Sequence, residues 1–165
     1  MPSGSTRGIM QISVEAVTTA PQKTAFEAAT DITNWPRFIS AVEHVEVLTP
    51  GSLQPGTRFR ETRSMFGRRA TEELTVADID PPRRLVLTAF AHGTEYRAEH
   101  TFEPEGSRTL MTLVFEGLPI ATSARLLAPL AWLLLGTIKR QLIADLADLA
   151  REAERRHRAT TSSAA

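Results

Sequence analysis

The chain has 165 residues, with acidic and basic side chains balanced at 19 each and no cysteine. That length suits one domain able to bury a core without staples, and the missing cysteines exclude disulfides, thiol nucleophiles and thiolate metal sites. A net charge of zero argues against a dominant nucleic-acid footprint, so no nucleic-acid partner is expected.

Residues 1–8 contain no apolar h-region, so the segment reads as a disordered start rather than a secretory signal, and a cytoplasmic location is expected. From Ile9 to Thr18, Met10, Ile12, Val14 and Ala16 alternate with Gln11, Ser13 and Glu15, the pattern of a half-buried strand. Pro21 suits a first helical turn, with Ala25, Phe26, Ala28 and Ala29 behind it. Residues 31–35 break that helix, and Pro36 to Ser40 reads as another short turn of helix. Turn signals then recur at Pro50-Gly51, Pro55-Gly56, Phe66-Gly67, Asp80-Pro81-Pro82, His92-Gly93 and Glu105-Gly106. They separate six expected strands, over 42–48, 58–65, 69–79, 85–91, 95–103 and 109–116, an antiparallel meander joined by hairpins.

The last element is a long helix, from about Ala121 to His157. Leu127, Ala131, Leu134, Ile138, Leu142, Leu146, Leu149 and Ala153 form one apolar stripe, while Gln141, Asp145, Asp148, Glu152 and Arg155 define an opposite side read as wet. Leu126, Leu130, Trp132, Leu133 and Leu135 add apolar surface around the rest of the early turns, which a loop, a ligand, a second subunit or a membrane surface must cover. The segment from Leu118 to Ile138 holds Arg125, two prolines and a glycine, too interrupted to span a bilayer. A polar tail over 158–165 is expected to be disordered, leaving one domain over 9–157.

A strand, two short helices, six meandering strands and a long helix define an α+β helix-grip fold, with a seven-stranded antiparallel sheet curved around the C-terminal helix. Ala20-Pro21 with Phe26, the Asn34-Trp35-Pro36 turn, Gly56 with Phe59, the Asp80-to-Leu85 run and Thr109 after a glycine turn resemble the START-like (SRPBCC) superfamily. The similarity covers about residues 10 to 155 and is strongest to the branch of polyketide cyclases/dehydrases and lipid-transport proteins. It implies a deep, mostly apolar pocket between sheet and last helix. It implies no shared catalytic set, because these motifs are turn and packing signatures.

Strand parity supplies the candidate site residues. Tyr96, Ala98, His100 and Phe102 share one face of their strand, Phe59, Glu61, Arg63 and Met65 one face of theirs, and Ala70, Glu72, Leu74 and Val76 the matching face of the next. For 85–91 and 109–116 both parities hold apolar residues, and the inward face stays open. The expected ligand-binding set is Phe59, Arg63, Glu72, Leu74, Phe102, Leu127, Leu134, Ile138 and Leu142. Glu61, His100 and Tyr96 are the catalytic candidates, since a polar patch in a dry cavity can polarise a carbonyl and shuttle protons. The competing reading makes His100 a core histidine and the carboxylates and Arg63 rim ion pairs. The histidines lack metal-ligand spacing, and nucleophile-elbow and phosphate-loop motifs are absent, so neither metal nor cofactor is expected.

Two functions remain open from the sequence: binding of an apolar or aromatic, lipid- or polyketide-like molecule, and cyclase or dehydratase chemistry in the same cavity. A third is peripheral membrane or partner docking through Trp132 and Leu133. Monomer and homodimer are both compatible with the sequence.

Overall fold

The computed structural model describes residues 10–122 and 128–163, with side chains for all of these except 128–133. Strand β1 (Met10–Thr18) leads into α1 (Gln22–Thr30), a 3-10 turn (Ile32–Asn34) and α2 (Trp35–Phe38). The meander follows as β2 (Val42–Val47), β3 (Arg58–Met65), β4 (Arg68–Asp80), β5 (Arg84–Ala91), β6 (Thr94–Glu105) and β7 (Arg108–Pro119), and α3 (Ala128–Ser163) closes the chain. The strands form one antiparallel seven-stranded sheet in the order β1-β7-β6-β5-β4-β3-β2. The helix-grip architecture expected from the element order is the one observed.

Register settles the faces. Leu85 pairs with His100 and Leu87 with Ala98, so Leu85, Leu87, Ala89 and Ala91 point inward from β5. Leu113 lies opposite His100 and Phe115 opposite Ala98, which turns Thr109, Met111, Leu113, Phe115 and Gly117 inward from β7. The ambiguity in the sequence has a physical source in Val86. It points outward between Asp78 and Glu99, yet it is buried, on a convex face where Arg84 pairs with both of those carboxylates.

Helix α3 is covered on two sides. Its stripe packs against β1 and, more lightly, β7, while α1 and α2 lie along its second half. The side read as wet is therefore partly buried. Asp148 accepts hydrogen bonds from both the backbone N–H and the Oγ of Ser40, each at 2.8 Å. Glu152 is buried among Arg155 and Arg156, and Arg156 Nη2 reaches Asp31 Oδ2 at 2.7 Å while its guanidinium lies 5.6 Å from the Phe38 ring. Helical periodicity marks which residues are polar, not what tertiary partner meets them. The helix also continues through Arg158 to Ser163, where the sequence suggests a disordered tail.

The inward stripe of α3 is not uniformly sealed. Leu149 and Leu146 are 4% and 2% exposed and Leu142 is 8%, Ile138 is half-buried, and Leu134 is 40% exposed. The sheet matches this gradient, since Phe102, Met111 and Leu113 are sealed whereas Ala98 and Phe115 are half-buried. Coverage is complete at the core positions of the second half of the helix and partial in the first, where Leu135 and Ile138 pack against the core while still partly accessible. Leu146→Ala should therefore cost about 2–5 kcal/mol in urea denaturation, and Leu134→Ala less than about 1 kcal/mol. Equal losses would mean that the grip is closed along its whole length.

Candidate functional site

The concave face is apolar with a few polar insertions. Phe59 lies opposite Leu74, which lies opposite Ala89, and Ala89 opposite Tyr96, forming one inward row across four strands. The Tyr96 ring stacks on Phe115, with centroids 5.6 Å apart and planes 20° from parallel. Gly117 leaves room for it: a Cβ there would sit 3.1 Å from Met10 Cε and 3.4 Å from Tyr96 Cε1. At the sealed end, Phe26 meets Phe102 edge-on at 5.8 Å. Trp35 meets Phe59 in the same way at 5.8 Å, plugging the junction between short helices and sheet.

The next row holds Glu61 opposite Glu72, with Arg63 one pleat further along β3. Arg63 Nε donates to Glu61 Oε1 at 2.5 Å and Nη1 to Asp145 Oδ2 at 2.9 Å, and Gln141 Nε2 donates to Asp145 Oδ1 at 2.9 Å. A charged strut thus crosses the space between β3 and α3. Burial pushes the Glu61 carboxyl above the usual carboxylate range against the pull of Arg63, and the charges of Asp145 and Glu72 add to the rise. Burial works to lower the Arg63 guanidinium as well, but the Glu61 and Asp145 charges outweigh it and leave Arg63 raised and firmly protonated. Its two acceptors, the buried Glu61 and the half-buried Asp145, satisfy a charge that would otherwise be costly to enclose.

His100 sits elsewhere. It shares the inward face of β6 with Tyr96 but lies two pleats away, about 13 Å along the strand. From Glu61 it is three strands, about 14 Å, across the sheet and three inward rows, about 20 Å, along it. The single polar patch that parity suggested is thus two separate features, a strut at Glu61-Arg63-Asp145 beside Glu72 and an isolated imidazole. His100 as a residue is half-buried, and its Nδ1 is sealed with no hydrogen-bond partner among the described residues. Burial pushes its pKa down to about 4, so the ring is neutral near pH 7.

Of the expected ligand-binding residues, Phe59 and Phe102 belong to the sealed core, and Leu142 joins it at the edge of the opening. Leu74, Ile138 and Leu134 lie where the face is half-open. Leu127 lies outside the described residues, as do the side chains of Leu130, Trp132 and Leu133. Asp145 and Gln141 were missed, because an acidic residue on the polar side of a helix reads as solvated until a buried arginine is found opposite it. Among the described residues no group of three His, Cys, Asp or Glu side chains is placed to hold a metal. No helix among them is long and apolar enough to cross a membrane. Two surface clefts, of about 320 and 290 Å³, lie outside the grip, one at Arg37 and Arg155 and the other at Phe90 on the convex face.

Arg63→Met leaves Asp145 and Glu61 buried without their cation and should cost about 3–5 kcal/mol, and adding Asp145→Leu should recover part of that loss. A double variant no more stable than the single one would remove the strut from the account. The imidazole makes a separate prediction for acid. Because the unfolded histidine takes a proton from about pH 6.5 downward and the folded one only near pH 4, stability falls as pH drops through that window. Between pH 7 and 5 the native protein should lose about 2 kcal/mol more than His100→Leu, as read by urea titrations at both pH values. Glu61 is present in both proteins and cancels.

A family model described as polyketide cyclase / dehydrase and lipid transport matches residues 10–154. No curated protein matches the chain. Among solved structures it is similar to the Zhui aromatase/cyclase from Streptomyces sp. R1128, at 20% identity and a TM-score of 0.75, covering 90% of this chain and 95% of that one. It is also similar to a START superfamily protein from Mycobacterium smegmatis, at 14% identity and a TM-score of 0.64, covering 91% and 98%. The major latex-like protein 151 from Panax ginseng aligns at 10% identity and a TM-score of 0.68, covering 90% and 97%. Identities this low establish a shared fold, and it is the family model, matched along nearly the whole length, that assigns the chain to the START-like polyketide cyclase/dehydrase and lipid-transport family.

Proposed function

We propose that the protein binds one apolar or aromatic small molecule, lipid- or polyketide-like, between the concave sheet and the first half of α3. The observation that carries this reading is the gradient of burial along the grip. Inward apolar side chains that are fully sealed at Leu146 and Met111 become half-buried at Ile138, Leu74, Ala98 and Phe115, and exposed at Leu134. Apolar surface that faces inward and is only partly covered is surface that a ligand can cover. The family description and the aromatase/cyclase neighbour support a guest of that chemistry.

A second reading, ring closure with dehydration in the same space, is favoured by the two polar features. A neutral imidazole on the inward face is an acid–base group, and a carboxyl raised by burial beside a guanidinium can give up a proton. Their separation means that both could act only on an extended substrate reaching from β6 to β3.

Displacement of a solvatochromic dye by fatty acids, polyketides and sterol-like compounds tests the first reading. Ala98→Phe, which fills the half-open region from the sheet side, should weaken binding by at least about tenfold, on the order of 1.4 kcal/mol, with little change in Tm. Unchanged affinity, or no displacement by any of these compounds, would sink the assignment. For the second, His100→Ala and Glu61→Gln should each cut turnover of a poly-β-ketone analogue by at least about 100-fold with folding retained. A binder that shows no turnover in any form leaves the carrier reading alone.

A further inference from the structure

The second half of α3 carries more positive charge than its buried carboxylate needs. Arg155 donates twice to Glu152, from Nε to Oε2 and from Nη2 to Oε1, each at 2.7 Å, and Arg156 Nε adds a third bond to Oε1 at 2.7 Å. One guanidinium already satisfies a carboxylate in this geometry, so Glu152 holds a second cation that its own charge does not require. Arg156 also reaches Asp31, which accepts from Asn34 Nδ2 at 2.9 Å as well. These bonds pin two consecutive arginines of one helix. Arg37, in the last turn of α2, joins them in lining the cleft of about 320 Å³ that Asn34, Phe38 and Glu152 complete.

Cations and donors are both in excess here. Three guanidiniums, of Arg37, Arg155 and Arg156, meet two carboxylates, of Glu152 and Asp31. Arg155 Nη1, Arg156 Nη1 and the whole guanidinium of the exposed Arg37 have no acceptor among the described residues. Arg68, Arg108 and Arg158 also lack a carboxylate partner there, but they line neither of the two surface clefts. Convergence in a concavity, rather than the want of a partner, is what distinguishes Arg37. Phe38 supplies an apolar wall, with the Arg156 guanidinium 5.6 Å from its ring centre.

We propose that this cleft binds the phosphoryl group of a small organic phosphate monoester, its oxygens shared among Arg37, Arg155 and Arg156 and its organic part against Phe38. A phosphate monoester near pH 7 brings about −1.5 to −2 of charge and three acceptor oxygens, whereas a carboxylate brings one charge and two oxygens. Three donor groups set on two elements match the first better, and the bound anion ties α2 to α3. The cleft lies outside the grip, so its occupancy is independent of the ligand-binding reading above.

Calorimetric titration of the full chain with phenyl phosphate, inorganic phosphate and benzoate tests it, with amide NMR signals to locate the site. Phenyl phosphate should bind one-to-one and shift the signals of residues 34–38 and 152–156. Inorganic phosphate, without the ring, should bind about fivefold more weakly, and benzoate at least about tenfold more weakly. Arg37→Gln should weaken phenyl phosphate binding at least about tenfold at unchanged Tm, and Arg37→Lys should recover only part, because an ammonium offers no fork. Arg68→Gln removes an exposed, unpartnered cation elsewhere and should leave the affinity unchanged. Phenyl phosphate should not displace the dye from the grip. Equal losses in Arg37→Gln and Arg68→Gln, shifts spread over the surface without saturation, or displacement of the dye would overturn the site. Benzoate binding as tightly as phenyl phosphate would overturn the phosphoryl assignment.

Discussion

The way α3 is fastened determines the rest of the molecule. Its second half is held from two sides by hydrogen bonds and charge. Thr18 Oγ1 donates to the Ala150 carbonyl at 3.2 Å, the Thr19 N–H to Glu154 Oε1 at 3.1 Å, Ser40 to Asp148, and Arg156 to Asp31. These contacts fix the helix to β1, α1 and the approach to β2, where the sealed residues Leu146, Leu149 and Ala153 lie beneath it. A rigid rod held firmly along one half and crossing a strongly curved sheet cannot touch the sheet along its whole length. Coverage of the inward residues falls off along the other half, where Ile138 and Leu135 are only partly buried.

Where helix and sheet part, a charged strut joins them. The Arg63 bridge to Asp145 spans the grip at the point where the apolar seal ends, and its buried partners make it costly to break but not an efficient source of net stability. Such a pair fixes a separation more than it adds free energy, because guanidinium and carboxylate need a defined geometry that two apolar side chains do not. The strut therefore fixes the distance between β3 and α3 at this point. His100, whose Nδ1 has no partner among the described residues, makes the interior sensitive to acid instead.

Open and closed ends serve different tasks. The closed end carries the short helices, the buried carboxylates and the aromatic contacts of Phe26 and Trp35, all of which favour a single packed arrangement. The other end carries the exposed side chains of Phe66, Leu118 and Ile120 and lies beyond the last fully sealed residues. A small-molecule binder needs this asymmetry, since a uniformly tight core admits no guest and a uniformly loose one does not fold.

Alternation, turn chemistry and the apolar stripe were enough to place the strands to within a few residues, β3 over 58–65 among them, because each is a local property of consecutive residues. The same local signals placed Glu61, Arg63, Tyr96 and His100 on inward faces, since parity follows from the pleat. They gave no distances between strands, so the separation of His100 from Glu61 emerged only from strand order and register. Nor did they show that Asp148 and Glu152 are buried, that Asp145 is half-buried against Arg63, or that Val86 lies under a charged cover, because burial depends on what distant segments bring to a surface. The sequence by itself determined the elements and their faces, which short-range sterics and periodicity govern. Tertiary structure alone decided which faces meet, which charges are enclosed and how completely each inward residue is covered, because those depend on segments that lie far apart along the chain.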